Sequence, residues 1–268
     1  MILDDIDSRP GSATSILRTI VGAYLRGLGG WASIAELIRL MNAVGISSSH
    51  ARTAVLRVKN KGLLDPAPLG GQSGYRINPD ALPMLERGDR MIFEPRQQRD
   101  GGSWCLVSFS LPESQRAARH QLRKRLAWIG CGTVSTGLWI GPAFLTDVVE
   151  EILSDLELRQ WATVFITDTP HPAGPLREAV SRWWDLDAIA ALHHGFIDAF
   201  GSWGPADDPG RAFANYVTVL DRWRIIPYRD PRLQPAVLPA DWPGFESAAL
   251  FDRLYWELAG DADRFVSR

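Results

Sequence analysis

Residues 46–62 read ISSSHARTAVLRVKNKG, and this stretch decides the fold of the N-terminal part. A serine at its start and Gly62 at its end are typical start and stop signals of a helix. Ala51, Val55 and Val58 recur at spacings of four and three, so one face of this helix packs. The stretch contains four basic residues and no acidic one, which is typical of a helix that contacts phosphates.

The elements on either side of this helix predict a winged helix-turn-helix. Before it, the sequence predicts a helix with apolar residues at helical spacing over 16–28, a short strand at Trp31–Ala32, and a second helix opened by a Ser33/Glu36 capping box. After it, two short strands flank a loop rich in proline and glycine over 66–74. The order of helix, strand, helix, turn, basic helix and hairpin is that of the winged-helix fold.

The major groove of DNA accepts one helix, and the N-terminal half of that helix reads the base edges. Arg52 can bind a guanine edge with two hydrogen bonds, whereas Arg57 and Lys59 are placed for phosphates. The candidate DNA-binding residues are Ser48, Ser49, His50, Arg52, Thr53, Arg57, Lys59 and, at the tip of the wing, Gln72. The alternative is an ordinary solvated helix face.

A linker rich in charge and glycine at 94–102 separates this region from a middle segment. There an apolar strand over 104–110 is followed by a helix from Pro112 to Ile129, two strand-like pieces, a second helix and a last strand over 161–167. This βαββαβ order predicts a ferredoxin-like domain. The first helix carries a second group of basic side chains, at Arg116, Arg119, His120, Arg123, Lys124 and Arg125. They could face DNA, an acidic neighbouring domain, the phosphates of a nucleotide-like effector, or only solvent.

The last hundred residues predict helices throughout. Apolar and aromatic residues follow a helical period from Val180 to Phe200, again over 211–225, and once more after a proline-rich excursion at 227–243. Their aromatic cores suit a dimer interface or an effector pocket. His194 and Asp198 share a helix face beside His193, but two ligands do not make a zinc site, so no metal is expected. Sequence motifs of hydrolases, kinases and dinucleotide-binding enzymes are missing, so the chain is not expected to be an enzyme or to carry a cofactor.

Length and composition predict a soluble α+β protein of several domains. The chain has 268 residues, of which 46% are hydrophobic, and the segments 1–93, 100–172 and 176–268 are the predicted domains. The chain contains 29 basic and 31 acidic residues, so its net charge is -2. Any nucleic-acid site must therefore be a local basic patch. No apolar run is long enough to cross a membrane, and a cytoplasmic location is expected. Cys105 and Cys131 are predicted to be small core residues.

Several strings of residues resemble the PaaX family of bacterial regulators. They are Ala51-Arg52-Thr53-Ala54 with Arg57, Gly137-Leu138-Trp139-Ile140, Trp223-Arg224, Pro227-Tyr228-Arg229-Asp230-Pro231, Leu238-Pro239-Ala240-Asp241-Trp242-Pro243-Gly244, Leu250-Phe251 and Leu254-Tyr255. The resemblance implies a middle domain similar to a Cas2-like ferredoxin fold. It also implies a homodimeric repressor of an aromatic-acid catabolic operon that binds a palindromic double-stranded DNA operator. An aryl-CoA thioester such as phenylacetyl-CoA, or another acyl-CoA, would release it.

The candidate effector-binding residues are Arg119, Arg123, Arg224 and Arg229. Two other function classes stay open at this point. One is a metal-dependent nuclease built on the Cas2-like domain, which would need a carboxylate near the end of the first strand; that end reads Ser108-Phe109-Ser110-Leu111-Pro112 and has none before Glu113. The other is a protein-interaction module whose winged helix serves only dimer contacts.

Overall fold

The computed structural model describes residues 9–267. In chain order the helices are α1 (Ala13–Ile20), α2 (Ile34–Ala43), α3 (Ser48–Asn60), α4 (Leu82–Phe93), α5 (Arg116–Trp128), α6 (Thr146–Asp155), α7 (Leu176–Trp183), α8 (Leu186–Phe200), α9 (Pro209–Trp223), α10 (Ile226–Arg229) and α11 (Gly244–Val266). The strands are β1 (Trp31–Ser33), β2 (Leu64–Pro66), β3 (Gly74–Ile77), β4 (Trp104–Phe109), β5 (Gly132–Ser135), β6 (Leu138–Pro142) and β7 (Ala162–Thr167).

The chain forms two compact units. The first consists of residues 9–93 together with Phe196–Arg224 and residues 246–267, and the second of Glu94–Gly195 together with Ile225–Phe245. The two N-terminal segments that the sequence predicts as domains therefore fall into different units. The predicted C-terminal segment, 176–268, is shared between them.

In the first unit, α1 packs against α2 and α3 through apolar side chains that are fully or almost fully buried. These include Leu17 and Ile20 of α1, Leu37 and Leu40 of α2, and Val55 and Val58 of α3. The strands form an antiparallel sheet in the order β1-β3-β2. A Cβ at Gly74 would overlap the Trp31 indole, so this glycine lets β3 lie close to β1. The described part of the N-terminal segment is thus compatible with the predicted winged helix-turn-helix.

Two C-terminal helices complete the core of the first unit. Phe213 of α9 lies between Tyr24 and Phe265, with ring centroids 5.5 and 5.0 Å away. Helix α4 also belongs here, since the Phe93 ring lies 5.7 Å from the Tyr255 ring of α11. The sequence patterns did not predict α4, because Gly88 lies inside it and glycine is a weak helix former; no residue of this helix is fully buried. Helices α9 and α11, which lie far along the chain, thus contribute aromatic side chains to the core of this unit.

In the second unit, the predicted βαββαβ order is confirmed. Its four strands form one antiparallel sheet in the order β5-β6-β4-β7. Trp104 and Ile140 on one side of the sheet belong to a hydrophobic cluster with Trp184, Leu233 and Trp242. Cys105 and Cys131 are both free and buried, as predicted, and burial raises the pKa of both thiols.

Two local predictions differ from the structure. The helix predicted from Val180 to Phe200 is broken into α7 and α8, because the backbone of Trp184 is extended and its indole donates a 2.8 Å hydrogen bond to the Gly130 carbonyl. The Asp185 carboxylate then accepts from the Ala188 amide and opens α8. The capping box at Ser33 is only half formed. Ser33 accepts from the Glu36 amide, but the Glu36 carboxylate accepts from Arg39.

The segment 94–102, predicted as a linker, is bound to the rest of the second unit. The Gln98 amide donates to the Arg232 carbonyl, and its side-chain oxygen accepts from the Gln234 amide. The Gln234 side chain in turn accepts a 2.7 Å hydrogen bond from the Gly101 amide. These polar partners explain why Gln98 is buried although the surrounding sequence is strongly polar.

Candidate nucleic-acid interface

Helix α3 separates its packing residues from its polar residues by helical spacing. Ser47 caps it, with its hydroxyl accepting from the His50 amide, and Gly45 before it has a φ of 80°, which favours glycine. Ala51, Ala54 and Val55 are buried against the rest of the unit. The exposed residues of the helix are Ser48, Ser49, His50, Arg52, Thr53, Leu56, Arg57, Lys59 and Asn60. The structure therefore brings every α3 residue proposed from the sequence to one exposed side of the unit.

The cations of this surface are not neutralised within the protein. Arg52, Arg57, Lys59 and Lys61 are exposed, and within residues 9–267 none of them forms an ion pair with a carboxylate. The polar side chains between them make only local contacts, such as the 3.1 Å hydrogen bond from the Thr53 hydroxyl to the Ser49 carbonyl. Their hydrogen-bonding capacity and charge are available to an external anionic partner.

The hairpin of β2 and β3 ends in a short turn at Leu69-Gly70-Gly71-Gln72. At its end, Leu69 and Gln72 exchange two backbone hydrogen bonds of 3.0 Å around Gly70 and Gly71, whose φ angles are 57° and 78°. Positive φ at both central residues is the requirement of a type I′ turn, which suits a hairpin. Gln72 is exposed beside Ser73. A two-residue turn of this kind fixes the direction in which the Gln72 side chain leaves the hairpin.

A buried polar cluster connects α1, which packs against α3, to α9. The Asp221 carboxylate accepts hydrogen bonds from the Ser15 hydroxyl at 2.6 Å, the Thr19 hydroxyl at 2.8 Å and the Gly11 amide at 2.7 Å. Arg224 donates to the same hydroxyls and lies 3.3 Å from Asp221. Burial raises the pKa of the Asp221 carboxyl, and the hydrogen bonds from Gly11, Ser15 and Thr19 oppose that rise. The sequence predicts that Asp221 and Arg224 lie on an apolar helix. It does not predict their contacts with Ser15 and Thr19, which lie 206 and 202 positions before Asp221.

The four arginines proposed for an effector have different surroundings. In the second unit, Arg119 forms a 3.0 Å ion pair with Glu113, while Arg123 and Arg229 are exposed. In the first unit, Arg224 is 7% exposed and its guanidinium is occupied by Asp221, Ser15 and Thr19. Its contacts are those of a structural residue.

The histidine pair does not gather further metal ligands. His193 is buried and its Nε2 lies 3.0 Å from an Asp230 carboxylate oxygen, whereas His194 and Asp198 are exposed. Among residues 9–267, no group of three histidine, cysteine or acidic side chains is placed to hold a metal ion. Over the same residues, no helix has the length and apolar character that crossing a membrane requires.

Three family models match consecutive parts of the chain. The model of PaaX-like proteins matches residues 12–80, that of the PaaX central Cas2-like domain matches residues 97–179, and that of the PaaX-like C-terminal domain matches residues 184–268. The chain belongs to the PaaX family. The βαββαβ sheet of the second unit is the Cas2-like domain of this PaaX-family chain.

Two individual proteins are similar to this PaaX-family chain over nearly its whole length. The transcriptional repressor PaaX of Escherichia coli K12 is 28% identical over 272 residues, which cover 98% of this chain and 85% of the relative. The structure of an uncharacterized protein from Mycobacterium tuberculosis superposes with a TM-score of 0.60 at 22% identity, covering 96% of this chain and 99% of that one. The second likeness shows a shared fold.

Proposed function

We propose that this PaaX-family chain is a transcriptional regulator that represses its target genes by binding operator DNA through a winged helix-turn-helix. The observation that carries the proposal is α3, a helix with one face buried and an opposite face that is basic, exposed and free of acidic residues. The named function of the E. coli relative, a transcriptional repressor, supports it. The regulator would act in the cytoplasm, where its operator lies, and would perform no catalysis.

In this proposal α3 enters the major groove of the operator. Arg52 reads a guanine edge with two hydrogen bonds, and Ser48, Ser49, His50 and Thr53 bind neighbouring bases or phosphates. Arg57 and Lys59 hold phosphates and set the position of the helix. Gln72, at the tip of the wing, contacts the backbone or the minor groove. The exposure of all eight side chains supports these roles.

The active species is a homodimer on a palindromic operator. A chain with a net charge of -2 has no overall positive field, so a single basic helix gives limited affinity for DNA. Two copies related by a two-fold axis present two such helices to two half-sites, as dimeric helix-turn-helix proteins do.

The repressor is released by a small effector, an aryl-CoA such as phenylacetyl-CoA or another acyl-CoA, and it controls an aromatic-acid catabolic operon. The effector and the operon are inferred from the resemblance to the PaaX family. The exposed Arg123 and Arg229, with the half-buried Arg119, remain candidates for the anionic groups of the effector. Arg224 does not, because its guanidinium is buried among its partners in the first unit.

The test compares Arg52→Ala with Lys59→Ala on DNA from upstream of the protein's own gene. Arg52→Ala should weaken operator binding by roughly 1–3 kcal/mol and relax the base preference at one position of each half-site. Lys59→Ala should weaken binding to all sequences alike and reduce the slope of log K against log salt by about 1. Fluorescence anisotropy at several salt concentrations measures both effects.

Arg116→Ala is the matched control, since Arg116 is an exposed cation of the second unit. If wild type and Arg52→Ala bind the operator equally well, α3 is not the reading helix. If no salt-sensitive binding to any DNA is found, the protein-interaction module is favoured instead.

A further inference from the structure

A cavity of about 470 Å³ opens on the second unit beside the segment 94–102. Arg96, Gln97, Arg99, Ser103 and Phe144 contribute to its lining. The cavity is wide open to solvent, and its volume is sufficient for a small organic molecule. The cavity is distinct from Arg119 and Arg123 of α5, because no residue of that helix lines it.

The positive charge of the cavity is unpaired. Arg96 and Arg99 are exposed, and within the described part of the chain neither forms an ion pair or a hydrogen bond through its guanidinium. The acidic residues closest in sequence, Glu94 and Asp100, are not among the lining residues. The Asp168 carboxylate accepts a 2.8 Å hydrogen bond from the Ser103 hydroxyl and also lies outside the lining. Two exposed arginines therefore line the cavity, and none of its lining residues is acidic.

The backbone that carries these arginines is held in place without a ligand. The Gln98 side chain is 4% exposed, donates to the carbonyls of Gly102 and Ser103, and accepts from the Gln234 amide. Gln97, next to it, donates a 2.5 Å hydrogen bond to the Leu233 carbonyl. A Cβ at Gly102 would lie only 2.8 Å from the Arg99 carbonyl oxygen, so the tight turn there requires glycine. A loop fixed in this way loses little further entropy on binding.

We propose that this cavity binds a small organic anion in which a phosphate or carboxylate group is joined to a flat apolar group. Guanidinium groups recognise the oxygens of phosphates and carboxylates through paired, charge-assisted hydrogen bonds. Phe144 also lines the cavity, and a ring at this position would give a flat group an apolar surface to stack on. The site deepens the proposed function, on which it rests, because it gives the effector-responsive regulator a defined ligand-binding cavity.

Isothermal titration calorimetry of the full chain with three probes tests the site. Phenyl phosphate carries both features, inorganic phosphate carries only the anion, and benzyl alcohol carries only the ring. Wild type should bind phenyl phosphate more tightly than either of the others. The double variant Arg96→Ala/Arg99→Ala should weaken phenyl phosphate binding by roughly a hundredfold, since each charged hydrogen-bonding group contributes about tenfold.

Two further variants make the test specific. Phe144→Ala should retain the affinity for inorganic phosphate while losing the preference for phenyl phosphate. Arg116→Ala/Arg182→Ala removes the same charge from two exposed arginines of the same unit that lie outside the cavity lining, and should leave phenyl phosphate binding unchanged. The proposal is overturned if no probe binds wild type, if Arg96→Ala/Arg99→Ala binds phenyl phosphate as wild type does, or if the two double variants lose the same affinity.

The same variants separate this site from the proposed function. Operator binding by Arg96→Ala/Arg99→Ala without any probe should equal that of wild type, because neither arginine belongs to the DNA-binding unit. If Arg96→Ala/Arg99→Ala still binds the operator but no longer binds phenyl phosphate, the result supports both proposals. If Arg96→Ala/Arg99→Ala loses phenyl phosphate binding as expected but wild type binds no DNA, the result supports the ligand site in the cavity and contradicts the proposed DNA-binding function.

Discussion

Helices α3 and α5 look alike in sequence and differ in the structure. Each is 13 residues long and rich in basic side chains. In α3 the cations are exposed and have no acidic partner within residues 9–267. In α5 two of the cations have acidic partners within the protein. Arg119 forms an ion pair with Glu113. Arg125 is only 5% exposed and lies 3.4 Å from Asp155.

The difference shows that the number of basic residues in a helix is a poor measure of its affinity for DNA. What matters is how many cations are exposed and free of partners, because an internal ion pair must be broken or shared before the cation can contact a phosphate. By this measure α3 is the stronger candidate for the DNA surface. Helix α5 divides its basic residues between the interior and the solvent.

The largest effect expected from this comparison concerns the interior of α5. Arg125→Ala should lower the free energy of unfolding by about 2 kcal/mol, because it removes a long buried side chain and leaves a cavity. The ion pair itself adds little, since Asp155 is 62% exposed and becomes hydrated when its partner is lost. Urea unfolding followed by circular dichroism measures the change.

Arg57→Ala on α3 is the matched variant for this experiment. Arg57 is exposed and unpaired, so its removal should change the free energy of unfolding by less than about 0.5 kcal/mol. Equal losses in the two variants would show that the buried Arg125 side chain contributes no more to stability than the exposed Arg57 side chain does.

A smaller effect is expected from how the two helices begin. The Ser47 hydroxyl caps α3, whereas α5 has no side-chain hydrogen bond at its N-cap residue, Gln115. Ser47→Ala should therefore cost about 1 kcal/mol of stability, and Ser47→Gly only a few tenths. Gln115→Ala should cost less than Ser47→Ala, since within residues 9–267 the Gln115 side-chain oxygen has no hydrogen-bond partner. Thermal unfolding of the three variants ranks them, and a Gln115→Ala loss as large as that of Ser47→Ala would contradict the capping role.

The sequence predicts well what depends on local periodicity. The buried face of α3 follows from Ala51, Val55 and Val58, and the strand and helix order of the second unit follows from its alternating apolar segments. The burial of Arg125 also has a local signal, because position 125 lies on the same helix face as Leu122 and Leu126. An arginine on an apolar stripe predicts a structural role.

Contacts between distant segments have no such signal. Ser15 and Asp221 are 206 positions apart, and nothing in either neighbourhood indicates that α9 packs against α1. For the same reason, the sequence assigns residues 176–268 to one domain, whereas the structure shares them between two units. At the candidate site, the exposure of Arg52 and Arg57 was predictable from the helix period, but the absence of carboxylate partners became visible only in three dimensions.

The smallest expected effect concerns Leu56, an apolar residue on the polar side of α3 that is 55% exposed. The exposed positions of α5 carry no comparable side chain, only polar residues and alanines. An exposed leucine on a helix in the major groove can contact the methyl group of thymine. Leu56→Ala should then lower operator affinity by roughly 0.8 kcal/mol, the value of about one buried methylene group, and leave protein stability nearly unchanged.

Replacing thymines of the operator by uracil, one position at a time, isolates this contact, because uracil lacks only the methyl group. Wild type should bind one such operator more weakly than the natural one, and Leu56→Ala should bind both equally. This result would give the DNA surface of α3 an apolar contact beside its cations, a feature that α5 cannot supply. A loss that is the same for wild type and Leu56→Ala on every uracil operator would show that Leu56 does not read thymine.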